Sequence, residues 1–282
     1  MSSLTSAEAR DIVAWLGVPS PEPSQVWLDA LLAAYGQRVP WESASRIVRR
    51  ARAQNAADCV QQPSAFWFDA RHRGCGGTCF ESNAALAALL AAVGIPSTFT
   101  LNDRPPHAAS HTALLVECES VRYVVDAGFP LLAAVPLPDD GGDRRVTTPW
   151  GQLTASRLSS ERIAIHQHPH PHPLAFELVD RPVSPRTYQA ATRADYGPSG
   201  LFLDRVIIKK IIDGDQWRFA SSEPPWVLEC FRDGERTAHS LPTDLEALAA
   251  ALSTHFAIEA RTVHEALIIV DKRRAERSGS HA

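Results

Sequence analysis

At Gly94-Ile95-Pro96 the hydrophobic period of the chain changes, and this constrains the fold more than any single motif. Before that point apolar residues recur at helical spacing. Ile12, Val13 and Leu16 share one face of a helix expected over 7–16, which Gly17 stops. A second helix is expected over 26–35, after the turn-rich PSPEPS, and Pro40 starts a short segment within VPWESASRIVRRA. A third helix runs from Thr78 to Gly94. Its apolar stretch AALAALLAAV is about half of what a bilayer span needs. After Pro96 the period falls to two, with short β-rich runs at 96–101, 112–117 and 122–126. Further strands are expected near 144–147, 174–179, 201–212, 216–220, 226–231 and 235–240. Thr243 reads as the N-cap of a helix to His255, with Glu246 as capping-box partner, and the polar tail DKRRAERSGSHA is expected to fray. Helices, then strands, then strands with a helix make an α+β chain of about three subregions. The boundaries fall at 1–95, 96–200 and 201–282.

The net charge of −4 excludes a broadly basic surface, so the expected partner is a small molecule rather than nucleic acid or a membrane. The first residues show no basic segment followed by an apolar core. Five cysteines spread through 282 residues do not make a disulfide framework, and a reducing cytoplasm is the expected setting.

One of those cysteines stands in GGTCFESN, at the start of the third helix. Gly76 and Gly77 allow a tight turn and close approach, and the unpaired amides of a first helical turn favour a thiolate at Cys79. A small buried hydrophobe is the competing reading of a lone cysteine. A nucleophilic thiol needs a base, and the base needs a group to orient it. His111 begins one apolar run and Asp126 ends the next, 15 residues later. A hairpin of the two runs brings both to one edge. Asp126 follows Val124 and Val125, and a buried carboxylate there needs a partner such as an imidazole N–H.

GGTCFESN resembles the active-site signature of the arylamine N-acetyltransferase family, Arg-Gly-Gly-x-Cys-x-Glu-x-Asn. HTALLVECESVRYVVDAGF resembles its second signature, a histidine followed by an Asp-x-Gly-Phe motif. VPWESAS, DYGPSGLFLDRVIIKK and LEALAAALSTHFAIE resemble further family stretches in the same order. The resemblance implies an N-terminal helical bundle, a central β-barrel and a C-terminal α/β lid around a transglutaminase- or cysteine-protease-like catalytic core. It implies a Cys79–His111–Asp126 triad, with the thiol resting as a thiolate against protonated His111. Acetyl would pass from acetyl-CoA to Cys79 and then to an aromatic amine, with ping-pong kinetics and no permanently bound cofactor or metal.

The chain departs from the family pattern at several places. Cys75 stands where the signature has arginine, which leaves Glu42 without the partner that the family implies, and Arg71 or Arg73 is expected to replace it. Pro130 replaces the second glycine of Gly-Phe-Gly. These departures keep open an amide synthase or a specialised acyltransferase of secondary metabolism, with a different acyl thioester donor and, in one form, an acyl carrier protein as partner. Trp41, Phe80, Phe129 and Phe202 are candidates for the substrate pocket, with core packing as the alternative for each. HQHPHPH (His166, His168, His170, His172) reads as a solvated loop, and Arg205, Lys209 and Lys210 as solvated strand positions within reach of coenzyme A phosphates.

Overall fold

The computed structural model describes residues 3–139, 141–169, 173–198, 200–222, 224–232 and 234–279. The N-terminal part comprises α1 (Ser6–Leu16), α2 (Gln25–Arg38), the two-residue strand β1 (Trp41–Glu42), α3 (Ala44–Arg52), α4 (Pro63–Arg73) and α5 (Cys79–Ala92). A short 3-10 turn over Ala56–Cys59 and α4 occupy a region whose sequence carries no clear period. Thr5 caps α1 with a capping box to Glu8, and Gly17 closes it in the left-handed conformation. After Asn83, α5 is apolar on every side, and the rest of the molecule buries it: Phe80, Ala85, Leu86, Leu89 and Leu90 all lie in the core it shares with α1, α2 and α4.

The middle of the chain is an eight-stranded antiparallel sheet in the order β5-β4-β3-β2-β9-β8-β7-β6. Its strands are β2 (Ser97–Arg104), β3 (His107–Cys118), β4 (Val121–Val125), β5 (Val135–Pro136), β6 (Arg144–Thr148), β7 (Gly151–Arg157), β8 (Arg162–His168) and β9 (Leu174–Val179). The end strands β5 and β6 approach each other, so the sheet curls into a nearly closed barrel. Leu115, Val124, Leu153, Ile163, Ile165 and Phe176 fill it.

α6 (Pro185–Asp195) leads to a second, five-stranded sheet. Its strands are β10 (Ile207–Ile212), β11 (Asp215–Ala220), β12 (Val227–Arg232) and β13 (Glu235–Ser240), and β1 pairs with β10 as its first strand. α7 (Leu245–Phe256) and α8 (Ala260–Gly279) cover one face. α3 packs on α8, and its Ala44, Ile47 and Val48 belong to this C-terminal core.

Several sequence expectations are corrected. Asp244, not Thr243, caps α7, through the backbone N–H of Ala247. The polar tail does not fray at Asp271: α8 extends to Gly279, with Val263, Ala266, Leu267 and Val270 as its buried stripe. Residues 280–282 lie outside the described residues. The run 201–212 is strand only from Ile207. α6, with Ser184 as N-cap and Pro185 in its first turn, adds a helix to the elements expected. His166 and His168 are strand residues at the end of β8, not loop, while His170 and His172 lie outside the described residues.

Candidate active site

Cys79 is the first residue of α5. The backbone N–H and hydroxyl of Thr78 both donate to Oε2 of Glu81, at 3.0 and 2.8 Å, which fixes the helix start beside the thiol. The approach to the helix is held from the other side. The backbone N–H of Glu42 donates to the Gly77 carbonyl, and the Gly77 N–H donates to Oε1 of Glu42, each at 2.9 Å. A Cβ on Gly76 would lie 1.8 Å from the Pro40 carbonyl, so only glycine lets the two segments meet.

His111 and Asp126 come from adjacent antiparallel strands. The register pairs Leu114 with Val125. Continued by one residue, it sets Asp126 opposite Ala113 and on the same face as His111. Nε2 of His111 and Oδ2 of Asp126 are 2.6 Å apart, and both residues are buried. The other carboxylate oxygen accepts from Asn83 Nδ2 at 2.8 Å and from the backbone N–H groups of Gly128 and Phe129 at 2.6 and 3.0 Å. Four contacts thus meet one carboxylate, which offsets the cost of burying it.

Asn83, one turn after Cys79, joins the two halves. Its Nδ2 also donates to the Thr112 carbonyl at 2.7 Å, and its Oδ1 accepts from the Ala127 N–H at 3.0 Å. The turn after Asp126 lies directly on Cys79: a Cβ on Gly128 would stand 2.3 Å from Cys79 Cα and 2.4 Å from its Cβ. The structure therefore brings Cys79 against the His111–Asp126 strand ends. Pro130 fits this turn because no hydrogen bond there requires its missing N–H. Ala127, Gly128, Phe129 and Leu131 donate the bonds that hold the turn.

Cys79 is only 4% exposed. Burial first, then the carboxylates of Asp195, Glu81 and Asp126, push its thiol well above the ordinary cysteine range, while Arg46 pulls the other way. Arg46, fully buried on α3, is a central cation of this region, and nothing in its sequence neighbourhood marks it. It contacts Oε1 of Glu81 at 3.0 Å and Oδ2 of Asp195 at 2.6 Å, donates to the Leu201 carbonyl at 3.3 Å, and lies 4.0 Å from the Tyr196 ring centre. Burial opposes the charge on Glu81, but Arg46, Arg49 and the hydroxyls of Tyr196 and Thr78 hold its carboxyl down at about 2. Burial pushes Asp195 up to about 6 against the pull of Arg46, with Glu81 adding to the rise.

Neither Arg71 nor Arg73 replaces the arginine that Cys75 displaces. Arg73 is held by Asp69 and Glu259, and Arg71 is exposed on α4. Glu42 needs neither, because Ser45 donates its N–H at 2.8 Å and its hydroxyl at 2.5 Å alongside the Gly77 N–H. Cys75 is a buried thiol of the C-terminal core.

The four pocket candidates separate. Phe80 points into the helical core against Tyr188, whose hydroxyl donates to the Phe80 carbonyl at 2.5 Å. Trp41 and Phe202 meet edge to face at 5.0 Å. Phe129 packs on Phe176, which in turn lies 4.6 Å from the His111 ring. Lys210 donates to the Phe256 carbonyl at 2.9 Å, and Arg205 is an exposed neighbour of Asp204. Among the described residues, no group of His, Cys, Asp or Glu is arranged to hold a metal, and no helix is long and apolar enough to cross a membrane.

A model of the N-acetyltransferase family matches residues 27–190, more than half of the chain, and this span holds Cys79, His111 and Asp126. The chain belongs to the arylamine N-acetyltransferase family. Its fold is that of the family's solved members. The arylamine N-acetyltransferase of Salmonella typhimurium superposes with a TM-score of 0.75 at 18% identity, over 96% of this chain and 100% of that one. That of Mycobacterium marinum, solved in complex with CoA, gives 0.75 at 19% identity over 92% and 97%. A Mycobacterium smegmatis N-arylamine acetyltransferase gives 0.74 at 17% over 92% and 96%. No curated protein sequence matches the chain.

Proposed function

We propose that the protein transfers an acetyl group from acetyl-CoA to an aromatic amine through an acyl-Cys79 intermediate, with His111 as base and Asp126 as its orienting partner. The observation that carries the reading is the short His111–Asp126 contact on a turn that touches Cys79. Nε2 of His111 is engaged by Asp126, which leaves Nδ1 for the thiol. Because burial favours the neutral thiol, the thiolate arises by proton transfer to His111 and not from the helix terminus alone. The thiolate attacks the thioester carbonyl carbon, the bond to the coenzyme A sulfur breaks, and the imidazolium returns its proton to the departing thiolate. The amine then attacks acyl-Cys79, His111 takes the amine's proton, and the amide leaves as the Cys79 thiol re-forms. The Asp126 carboxylate stabilises the imidazolium at both stages.

Intact-mass analysis after incubation with acetyl-CoA alone tests the reading. A gain of one acetyl group, lost on addition of an aromatic amine and absent in Cys79→Ala, is expected. Unchanged amine acetylation by Cys79→Ala would end it. A panel of thioesters, including a carrier-protein thioester, decides the donor: no adduct from acetyl-CoA and one from a longer acyl group moves the assignment to that donor.

A further inference from the structure

Among the described residues, Lys209 is a cation with no carboxylate within ion-pair distance, placed beside the strand that holds the loop before Cys79. It sits on β10 directly across from Trp41 of β1, and its Nζ lies 5.5 Å from the Trp41 ring centre. Trp41 precedes Glu42, which holds the loop leading into Cys79. On its other side Lys209 pairs in register with Arg218 of β11, so the three side chains share one row on one face of the sheet. Arg218 is neutralised by Glu229 at 2.5 Å, and Glu229 is also taken by Arg236 at 2.7 Å. Arg104 arrives from the barrel, at the end of β2, with its guanidinium 5.6 Å from the Phe129 ring centre. Phe129 donates its N–H to Asp126.

Cations from two different sheets thus lie over aromatic rings, Lys209 over Trp41 and Arg104 over Phe129, close enough to act on each other, in a chain whose net charge is −4. Like charges held together in a half-buried place cost stability unless a ligand offsets them. Burial first, then Arg218 and Arg104, push the Lys209 amine down to about 8, and Glu229 only partly opposes them. Lys209 is not the solvated strand residue expected from the sequence.

We propose that Lys209 and Arg104, with the Glu229-paired Arg218 beside them, form an anion-binding site next to the strand that holds the loop before Cys79, one that takes the phosphate or carboxylate of a substrate. The identity of the substrates rests on the acyl-transfer reading, whereas the site itself does not. An anion here would relieve the mutual repulsion of the cations and set a flat ring against Trp41 or Phe129. The two sources of the anion are the phosphates of the acyl donor and a carboxylate on the acceptor.

Equilibrium binding without turnover, followed by tryptophan fluorescence or calorimetry, separates them. The ligands are two pairs: coenzyme A and phosphate-free pantetheine, then 4-aminobenzoate and aniline. Lys209→Gln is expected to weaken the anionic member of one pair about tenfold, the loss of one charge-assisted contact, and to leave its neutral member unchanged. Lys209→Arg should restore binding, and Arg104→Gln, on the other sheet, should reproduce the loss. Arg145→Gln, which removes an exposed charge beside Asp143, serves as the control. Loss on the coenzyme A pair assigns the site to donor phosphates, and loss on the aminobenzoate pair assigns it to an acceptor carboxylate. In the wild type, anion affinity should fall as pH rises through about 8, where Lys209, faced by Arg218, Arg104 and Glu229, loses its charge. Equal weakening of charged and neutral ligands, or none, overturns the proposal. Anion binding with no acetyl gain on Cys79 keeps the site and removes the acyl-transfer reading instead.

Discussion

Replacing Arg46 by methionine removes one cation and strands two buried carboxylates. In the wild type the Arg46 guanidinium spans Glu81 and Asp195, whose side chains are 1% and 11% exposed. Methionine fills much of the volume, so the loss is mainly electrostatic. Breaking a buried pair by removing one partner costs about 3–5 kcal/mol. Unfolding entropy of about 2.1 cal/mol/K per residue, over this chain, gives about 0.6 kcal/mol/K. The melting temperature should therefore fall by about 5–8 °C. Calorimetry at neutral pH measures it. The double variant Arg46→Met/Glu81→Gln should lose less than the two single losses added, because the second change removes a charge that the first left unpaired. Because Arg46 pulls the Cys79 thiol down against burial and the nearby carboxylates, alkylation of Cys79 at fixed pH should also become slower in Arg46→Met. A melting temperature within about 1 °C of wild type, or additive losses in the double variant, would refute the view that Arg46 compensates these charges.

Other perturbations follow from the same geometry. Asp195, raised to about 6 from its ordinary 3.8, keeps a proton in the folded state that the unfolded chain has released. Its contribution is therefore full below about 4 and is lost as pH rises through about 6, so the wild type should lose about 2–3 kcal/mol relative to Asp195→Asn across that window in urea titrations. Glu81, held at about 2, acts with the opposite sign, and its contribution disappears as pH falls below its ordinary value toward 2. Gly128→Ala drives a methyl group into the Cys79 backbone and should both lower the melting temperature and abolish acetylation of Cys79, read by calorimetry and intact mass. Cys75→Arg should lower the melting temperature too, because the site is core and Glu42 is already satisfied by Ser45 and Gly77; a gain would show that Glu42 lacks a partner.

What could be read from the chain depended on how local the cause was. Gly-Gly-Thr-Cys at a helix start and the His111 to Asp126 interval are short-range features, and the strand register that joins them is set by a single hairpin. The full length of α8 is hidden because its charged exposed face dominates DKRRAERS, while Val263, Ala266, Leu267 and Val270 form the stripe that makes it fold. Arg46 carries no signal because its partners lie 35 and 149 residues away. Lys209 looks like any strand lysine until β1 is placed beside it, and that pairing joins residues far apart in the chain.

β1 has a further consequence. The family match ends at residue 190, yet Trp41 and Glu42 pair with β10 at Ile208 and Lys209, and α3 rests on α8. A gene cut at the edge of the match would encode every residue proposed for acyl transfer and omit the strand that clasps the loop before Cys79. The last third of the polypeptide thus acts as a keystone, set after the arch is built: during synthesis Cys79 emerges early, and its loop gains that clasp only once the C-terminal sheet has left the ribosome.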